Sequence, residues 1–304
     1  MAQYPIQSGT VARPNLKEDG YLDMKKEARV LIVEDDPFAQ NWIALLLARD
    51  WRTRSVGKVD SLEAMRGFFA SPAEMPNCVV INAELLGGQP ATLQSATGQP
   101  ATGQPVASQS AAFLSGLPGG PLIILIGRTV PASLPSYLPF PGFGGFLIRN
   151  EIGDGLSWAV ALADTGQWVI TPGVAPLARA LRPSGQPPAK ILVLDGRKSI
   201  HNLTEHEAEV ARMALIYSME RRELSDELKI TPDWSYGLVS TIYQKLGMDE
   251  ILSGEIDAEE FLGKSFTETR RFKETVRQAQ NARRNDLESL AFHIFTMPEI
   301  TELD

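Results

Sequence analysis

A doubly wound α/β domain followed by an all-α domain is the fold class that this 304-residue sequence predicts. Three observations predict it. Short continuous apolar runs at Val30–Val33, Cys78–Ile81, Pro121–Ile126 and Gly145–Ile148 alternate with amphipathic stretches. That is the pattern of parallel strands buried on both faces and joined by crossover helices. From Leu203 to Leu246 the apolar residues recur only at helical spacing. Between the two regimes, Gly166 to Asn202 is punctuated by Pro and Gly, as a connector would be.

The elements follow in order. Residues 1–28 are polar and aperiodic and are expected to form a flexible arm. Residues 29–166 form the α/β domain. After the strand Val30–Val33, Pro37–Asp50 predicts a helix with Phe38, Trp42, Leu45, Leu46 and Leu47 inward. Ser61 is the expected N-cap of a helix running to Phe69. After the third strand, Gly88–Thr92, Gly98–Thr102 and Gly103–Ala107 are near-copies rich in Gly, Gln and Pro. They cannot bury a core, so about 87–119 is expected to be a low-complexity insertion. Asp154–Ala163 closes the domain. Residues 167–200 are expected to be a linker holding one strand-like segment, Ile191–Leu194. Residues 201–264 form the helical domain, and 265–304 a C-terminal helical extension. In the helical domain Thr204 and Glu207 make a capping box, and Thr231 followed by Pro232 marks a helix start.

Composition narrows the function classes. The net charge is −8 and the hydrophobic fraction 43%, ordinary for a soluble protein. The single Cys78 excludes an internal disulfide, as expected of a reducing cytoplasm. No signal peptide is evident, and no apolar stretch approaches the ~20 residues that span a bilayer. The sequence therefore predicts a cytoplasmic protein with no membrane partner. His201, His206 and His293 share no metal-ligand spacing, and no nucleophile–base pair or phosphate-cradling Gly loop emerges. The expectation is no cofactor and no enzyme.

The segment Val30–Pro37, VLIVEDDP, resembles the first strand and acidic pocket of phospho-receiver domains. The segment Leu203–Leu246 resembles the helix-turn-helix of LuxR/NarL-type response regulators. Its matching residues are Leu203, Thr204, Glu207, Glu209, Val210, Glu223, Leu224, Ser225 and Leu228, and the closing Lys245–Leu246–Gly247. The resemblance implies a receiver-like (flavodoxin-like) domain joined to a LuxR-type helix-turn-helix. It further implies a two-component regulator of transcription, acting as a homodimer on DNA. Glu34 and Asp35 match the family's metal-binding acids, with Asp36 beside them. Asn82 stands at the phosphoacceptor position, Ile126 at the hydroxyl position and Arg149 at the lysine position.

Those replacements matter chemically. Phosphorylation needs an anionic carboxylate oxygen as nucleophile, which a neutral amide lacks. Ile126 cannot bond a phosphoryl oxygen, and Arg149 keeps a cation with different geometry. A degenerate pseudo-receiver that takes up no phosphoryl group is expected. Glu34 and Asp35 are either a weak Mg²⁺ site or a solvated acidic strand end. Arg149 is expected to pair with Asp35.

The output half keeps its scaffold and changes its reading face. Ten acids and five bases lie between His201 and Glu250, a poor balance for phosphate contacts. The turn Tyr217–Arg222 is one residue longer than the family's. Thr231, Trp234, Tyr236, Ser240, Thr241, Gln244 and Lys245 are the candidate DNA-contacting residues, and Asp233 and Gly237 count against tight binding. Trp234 and Leu238 share a face, either packing internally or forming a docking patch for a protein partner. Ile256–Leu262 resembles the family's dimer-forming helix. Beyond it, Arg270, Arg271, Lys273, Arg277, Arg283 and Arg284 form a basic cluster, either a solvated helix with Glu268, Glu274 and Asp286 or a replacement set of phosphate contacts. Two readings stand: a phosphorylation-independent DNA-binding regulator, and a pseudo-regulator whose output domain binds protein.

Overall fold

The computed structural model describes residues 27–87, 113–136, 142–180, 190–198, 201–280 and 287–303. Its centre is an eight-stranded sheet in the order β2-β1-β3-β4-β5-β6-β7-β8. The strands are β1 (Ala28–Val33), β2 (Thr53–Val59), β3 (Cys78–Asn82), β4 (Leu122–Gly127), β5 (Phe143–Ile148), β6 (Trp168–Ile170), β7 (Ile191–Asp195) and β8 (Glu299–Glu302). All pairings are parallel except β7 with β8. The helices over the first seven strands are α1 (Pro37–Arg49), α2 (Leu62–Ala70), α3 (Glu84–Gly87), α4 (Arg149–Ile152), α5 (Leu156–Ala163) and α6 (Ala175–Ala180).

Alternation along each strand divides the core in two, since successive side chains point to opposite faces. Leu31, Val33, Val79, Ile81, Ile123 and Leu125 meet α2 on one face. Val30, Ile32, Val80, Ile124 and Leu147 meet α1 and α5 on the other. The predicted cap at Ser61 forms, its Oγ accepting from Ala64 N at 3.2 Å, and Asp36, expected only beside the acidic pocket, caps α1 with Oδ1 accepting from Phe38 N at 2.9 Å.

Residues 167–200 are more than a linker: they supply β6, α6 and β7, which extend the parallel sheet. Gly145 is required for that extension. Its φ is +151°, and a Cβ there would lie 1.9 Å from the Val169 carbonyl oxygen. Only a glycine lets β6 come this close to β5. The expected insertion is also shorter than predicted at its far end, because Leu114 and Leu117 are buried against the α2 face. The repeats, most of the arm 1–28, Arg283 and Arg284 lie outside the described residues.

The second half contains α7 (Glu205–Ala211), α8 (Arg221–Leu228), α9 (Pro232–Lys245), α10 (Met248–Ser253), α11 (Ala258–Leu262), α12 (Lys264–Thr267), α13 (Arg270–Gln280) and α14 (Leu287–Thr296). The extra residue before α8 is taken up in a π turn at Arg212–Ile216. There Tyr217 N donates to Arg212 O at 3.0 Å across five residues. Val210, Leu215, Leu224, Val239, Ile242 and Leu246 form the three-helix core, continuous with the α1/α5 face of the sheet.

The C-terminal extension is a structural centre. From Leu290 to Thr296 every residue of α14 is buried. Trp158 Nε1 donates to the His293 carbonyl at 3.0 Å, and β8 then closes the sheet edge. Arg49 spans the two halves, donating to Leu215 O at 2.9 and 2.8 Å and to Glu288 at 2.6 Å. No described helix is long and apolar enough to cross a membrane.

Candidate functional site

The strand order reverses between β1 and β3, so a crevice opens at the carboxyl ends of these strands, where open α/β sheets bind ligands. Sequence order places Glu34 and Asp35 after β1, Asn82 at the end of β3 and Arg149 after β5. The structure brings all four together. Asn82 Nδ2 donates to Glu34 Oε1 at 3.1 Å and to Asp35 Oδ1 at 3.0 Å. The Asn82 carbonyl oxygen accepts from Glu84 N at 3.1 Å. Arg149 Nη2 donates to Glu34 Oε2 at 2.7 Å. Asp36 N adds a bond to Glu34 Oε1 at 3.1 Å.

Arg149 therefore pairs with Glu34 instead of Asp35. The reason is burial: Glu34 is 1% exposed and needs a countercharge, whereas Asp35 faces solvent. Asp36 is spent as the cap of α1 and takes part through its backbone N–H. Ile126 is buried and pairs in register with Asn82, giving an apolar wall beside it.

This donor set does not fit a divalent cation. Hard cations need several free oxygens, but both Glu34 oxygens are engaged and one holds a guanidinium. Among the described residues, no group of three or more His, Cys, Asp and Glu is placed to hold a metal ion. Gln40, which sequence reasoning missed, steadies the loop: its amide donates to Glu34 O at 3.2 Å and to Val59 O at 3.1 Å. A lone Gln one turn into a helix carries no sequence signal of that role.

The second candidate surface is the outer face of α9. Thr231 caps it, its Oγ1 accepting from Trp234 N at 3.3 Å. Ser235, Val239 and Ile242 point inward. Helical spacing then sets Tyr236, Ser240 and Gln244 in one outward row, and Trp234 and Thr241 in another. Trp234 is 65% exposed and Tyr236 61%, so Trp234 does not pack internally, while Leu238 does pack on the core. The Thr241 hydroxyl donates to Gly237 O at 3.0 Å.

Lys245, the one cation among the candidate contact residues, is not free. Its Nζ lies 2.7 Å from Glu207 Oε1, and it holds the Glu207 carboxyl below the usual range, with help from Thr204. The capping-box acid of α7 is thereby bolted to the end of α9. Leu262, in the segment expected to dimerise, is buried in the chain's own core. In the basic helix, Arg270 Nε pairs with Glu274 at 2.6 Å.

No protein-family model matches the chain, and no curated protein matches it. Solved response regulators do. The Salmonella typhimurium RcsB response regulator is 16% identical, with 73% of this chain and 93% of that chain covered and a TM-score of 0.39. A structure of two RcsB dimers bound to two parallel DNAs gives the same identity, coverage and score. ChrA, the response regulator of a heme-sensing two-component system, is 17% identical over 73% of this chain and 90% of that one, with a TM-score of 0.32.

Proposed function

We propose that the chain is a response-regulator-like regulator whose output does not depend on phosphoryl transfer. The closed network Arg149–Glu34–Asn82–Asp35 carries this reading. A phosphoacceptor must offer an anionic oxygen to an in-line phosphoryl donor. Here the position is an amide whose NH₂ is already shared between two carboxylates. The cation that would meet the phosphoryl group instead neutralises Glu34. The receiver-like half is thus a scaffold held in one state, and the exposed face of α9 is the output surface.

Two targets fit that face. DNA is favoured by the outward row Tyr236, Ser240 and Gln244 on a capped helix, side chains able to bond base edges. A protein is favoured by charge. Affinity for DNA comes mainly from cations on phosphates, yet Lys245 is held by Glu207 and Asp233 sits in the first turn of α9. The charge balance supports protein as the principal target, with DNA as the second reading.

The test is incubation of the full chain with acetyl phosphate and Mg²⁺, followed by intact-mass measurement. No added phosphoryl group is expected. A stable adduct mapping to the β1/β3 crevice would refute the reading. Retention of fragmented genomic DNA at low and moderate salt decides between the two targets.

A further inference from the structure

The outer face of α9 combines two features that folding does not explain, and the geometry points to a docking site for a basic, arginine-bearing protein segment. The inference rests on the protein reading of the output surface and names the chemistry of its partner. First, Trp234 and Tyr236 stand out at 65% and 61% exposure. Large aromatics left in water are unfavourable for a lone soluble domain and mark contact surfaces when they are grouped. The two are about 160° apart across the outward side of the helix, so they flank that face from either side. Between them lie Asp233 and Gly237. Gly237 has nothing within 4 Å of where a Cβ would be, so the floor is open.

Second, the surroundings are acidic. Ile230 N bonds to Ser225 O at 3.0 Å, and Ser235 Oγ donates to Arg221 O at 3.1 Å. These bonds pin α8 beside the start of α9, and α8 carries the exposed acids Glu223, Asp226 and Glu227 while the first turn of α9 carries Asp233. The exposed cations of the same stretch are Arg222 and Lys229, too few to reverse the sign. An acidic surface with flanking aromatic faces suits a guanidinium: its charge meets carboxylates and its plane stacks on Trp or Tyr. Phosphates meet the opposite field. Lysine satisfies the charge but not the planar stack.

The test uses the full chain and isothermal titration with a synthetic peptide of alternating Arg and Ser. An equal-length Lys/Ser peptide and a mixed-sequence DNA duplex serve as comparisons. The expected result is saturable binding of the Arg peptide, several-fold tighter than the Lys peptide. At least a tenfold loss is expected on Trp234→Ala and on Asp233→Lys. Both side chains are exposed, so these variants keep the fold, which circular dichroism checks. Four outcomes would overturn the inference. The first is a duplex that binds as tightly as the Arg peptide. The second is unchanged peptide binding in both substituted chains. The third is an equal loss on a remote charge reversal, Glu259→Lys. The fourth is self-association of the peptide-free chain through Trp234, which would assign the face to a second copy. Phosphoryl uptake in the acetyl phosphate experiment would sink the locked-receiver reading and leave this titration standing. Failure of the titration leaves the locked receiver untouched.

Discussion

Replacing Asp50 by Ala should uncouple the junction between the two halves, and its cost follows from the geometry. Asp50 is fully buried, and both its oxygens serve Arg52: Oδ1 accepts from the Arg52 N–H at 2.8 Å and from Nε at 3.0 Å, and Oδ2 accepts from Nη2 at 2.7 Å. The Arg52 side chain is 12% exposed, and its guanidinium lies 4.0 Å from the Trp158 ring centroid and 5.0 Å from that of Phe266. Removing the carboxylate leaves a buried cation without its partner, which costs about 3–5 kcal/mol. The two rings offset about 1–2 kcal/mol of that. A net loss of about 3 kcal/mol corresponds, at about 2–4 °C per kcal/mol, to a Tm lowered by roughly 6–12 °C.

Urea unfolding followed in parallel by circular dichroism and tryptophan fluorescence measures this. A loss below about 1 kcal/mol would refute the reasoning, because an uncompensated buried guanidinium cannot be that cheap. Replacing Arg52 by Met in the same variant should restore much of the loss.

His293 adds a pH dependence at the same junction. It is buried between the rings of Trp51 and Phe266, at centroid distances of 4.0 and 4.8 Å. Its Nδ1 lies 3.4 Å from Asp50 Oδ2, yet neither ring nitrogen has a hydrogen-bond partner, so the contact is undirected. Burial pushes its pKa below the ordinary 6.5, against the pull of Asp50, and the ring is neutral at neutral pH. Burial pushes the Asp50 carboxyl up, but Arg52 and then His293 outweigh it and hold the group well below the ordinary 3.8. Both shifts have one sign: a lowered folded pKa means stability that is present at high pH and lost on acidification. The His293 contribution is lost as pH falls below 6.5, and that of Asp50 below 3.8. His293→Leu should flatten the first of these steps in a Tm-against-pH series.

Further outcomes can be checked at the crevice and the sheet. Asn82→Asp sets a third carboxylate against Glu34 and Asp35, so its Tm should fall without metal and rise with added Mg²⁺, while the native chain shows no Mg²⁺ response. Arg149→Ala strips the buried Glu34 of a charged bond, worth about 1.5–3 kcal/mol at most. Because Arg149 is 28% exposed, about 1 kcal/mol is the loss expected in urea unfolding. Gly145→Ala would drive a methyl into the Val169 carbonyl and should leave little soluble folded protein, and normal expression and melting would contradict the tight β5–β6 approach.

The strands β1, β3, β4 and β5 were legible because burial on both faces writes a continuous apolar run into the chain. β6 was not, since three residues, Trp168–Ile170, carry no period, and its place depends on Gly145 in another strand. Helix α14 fell within the expected helical extension 265–304, but its central place was not legible: buried at every position from Leu290 to Thr296, it shows no one-sided apolar stripe there. The pocket's residues could be named from strand order alone. Their pairing could not, because whether Arg149 meets Glu34 or Asp35 depends on which acid the loop buries. The pairing of Lys245 with Glu207 was not legible either, because the two lie 38 residues apart, beyond any helical spacing. The burial of Leu262 likewise comes from its place in the core shared by both halves, which sequence pattern does not encode.

The two halves also share one core, and this constrains how the chain can be regulated. The apolar cluster under the α1/α5 face runs without a break from Val30 and Leu46 through Trp158 and Phe295 to Leu215, Val239 and Leu246. Separating the helix-turn-helix from the sheet would expose Trp158, Phe266, Phe292 and Phe295 together. At about 25 cal/mol per Å² and 150–250 Å² for each aromatic, that is on the order of 15–25 kcal/mol at full exposure. Populations accessible to a switch correspond to a few kcal/mol. Any signal that worked by releasing the helical half from the sheet would therefore have to supply far more than a switch can. In that docked arrangement Trp234 and Tyr236 on the outer face of α9 remain exposed, so a partner can reach them without the two halves separating.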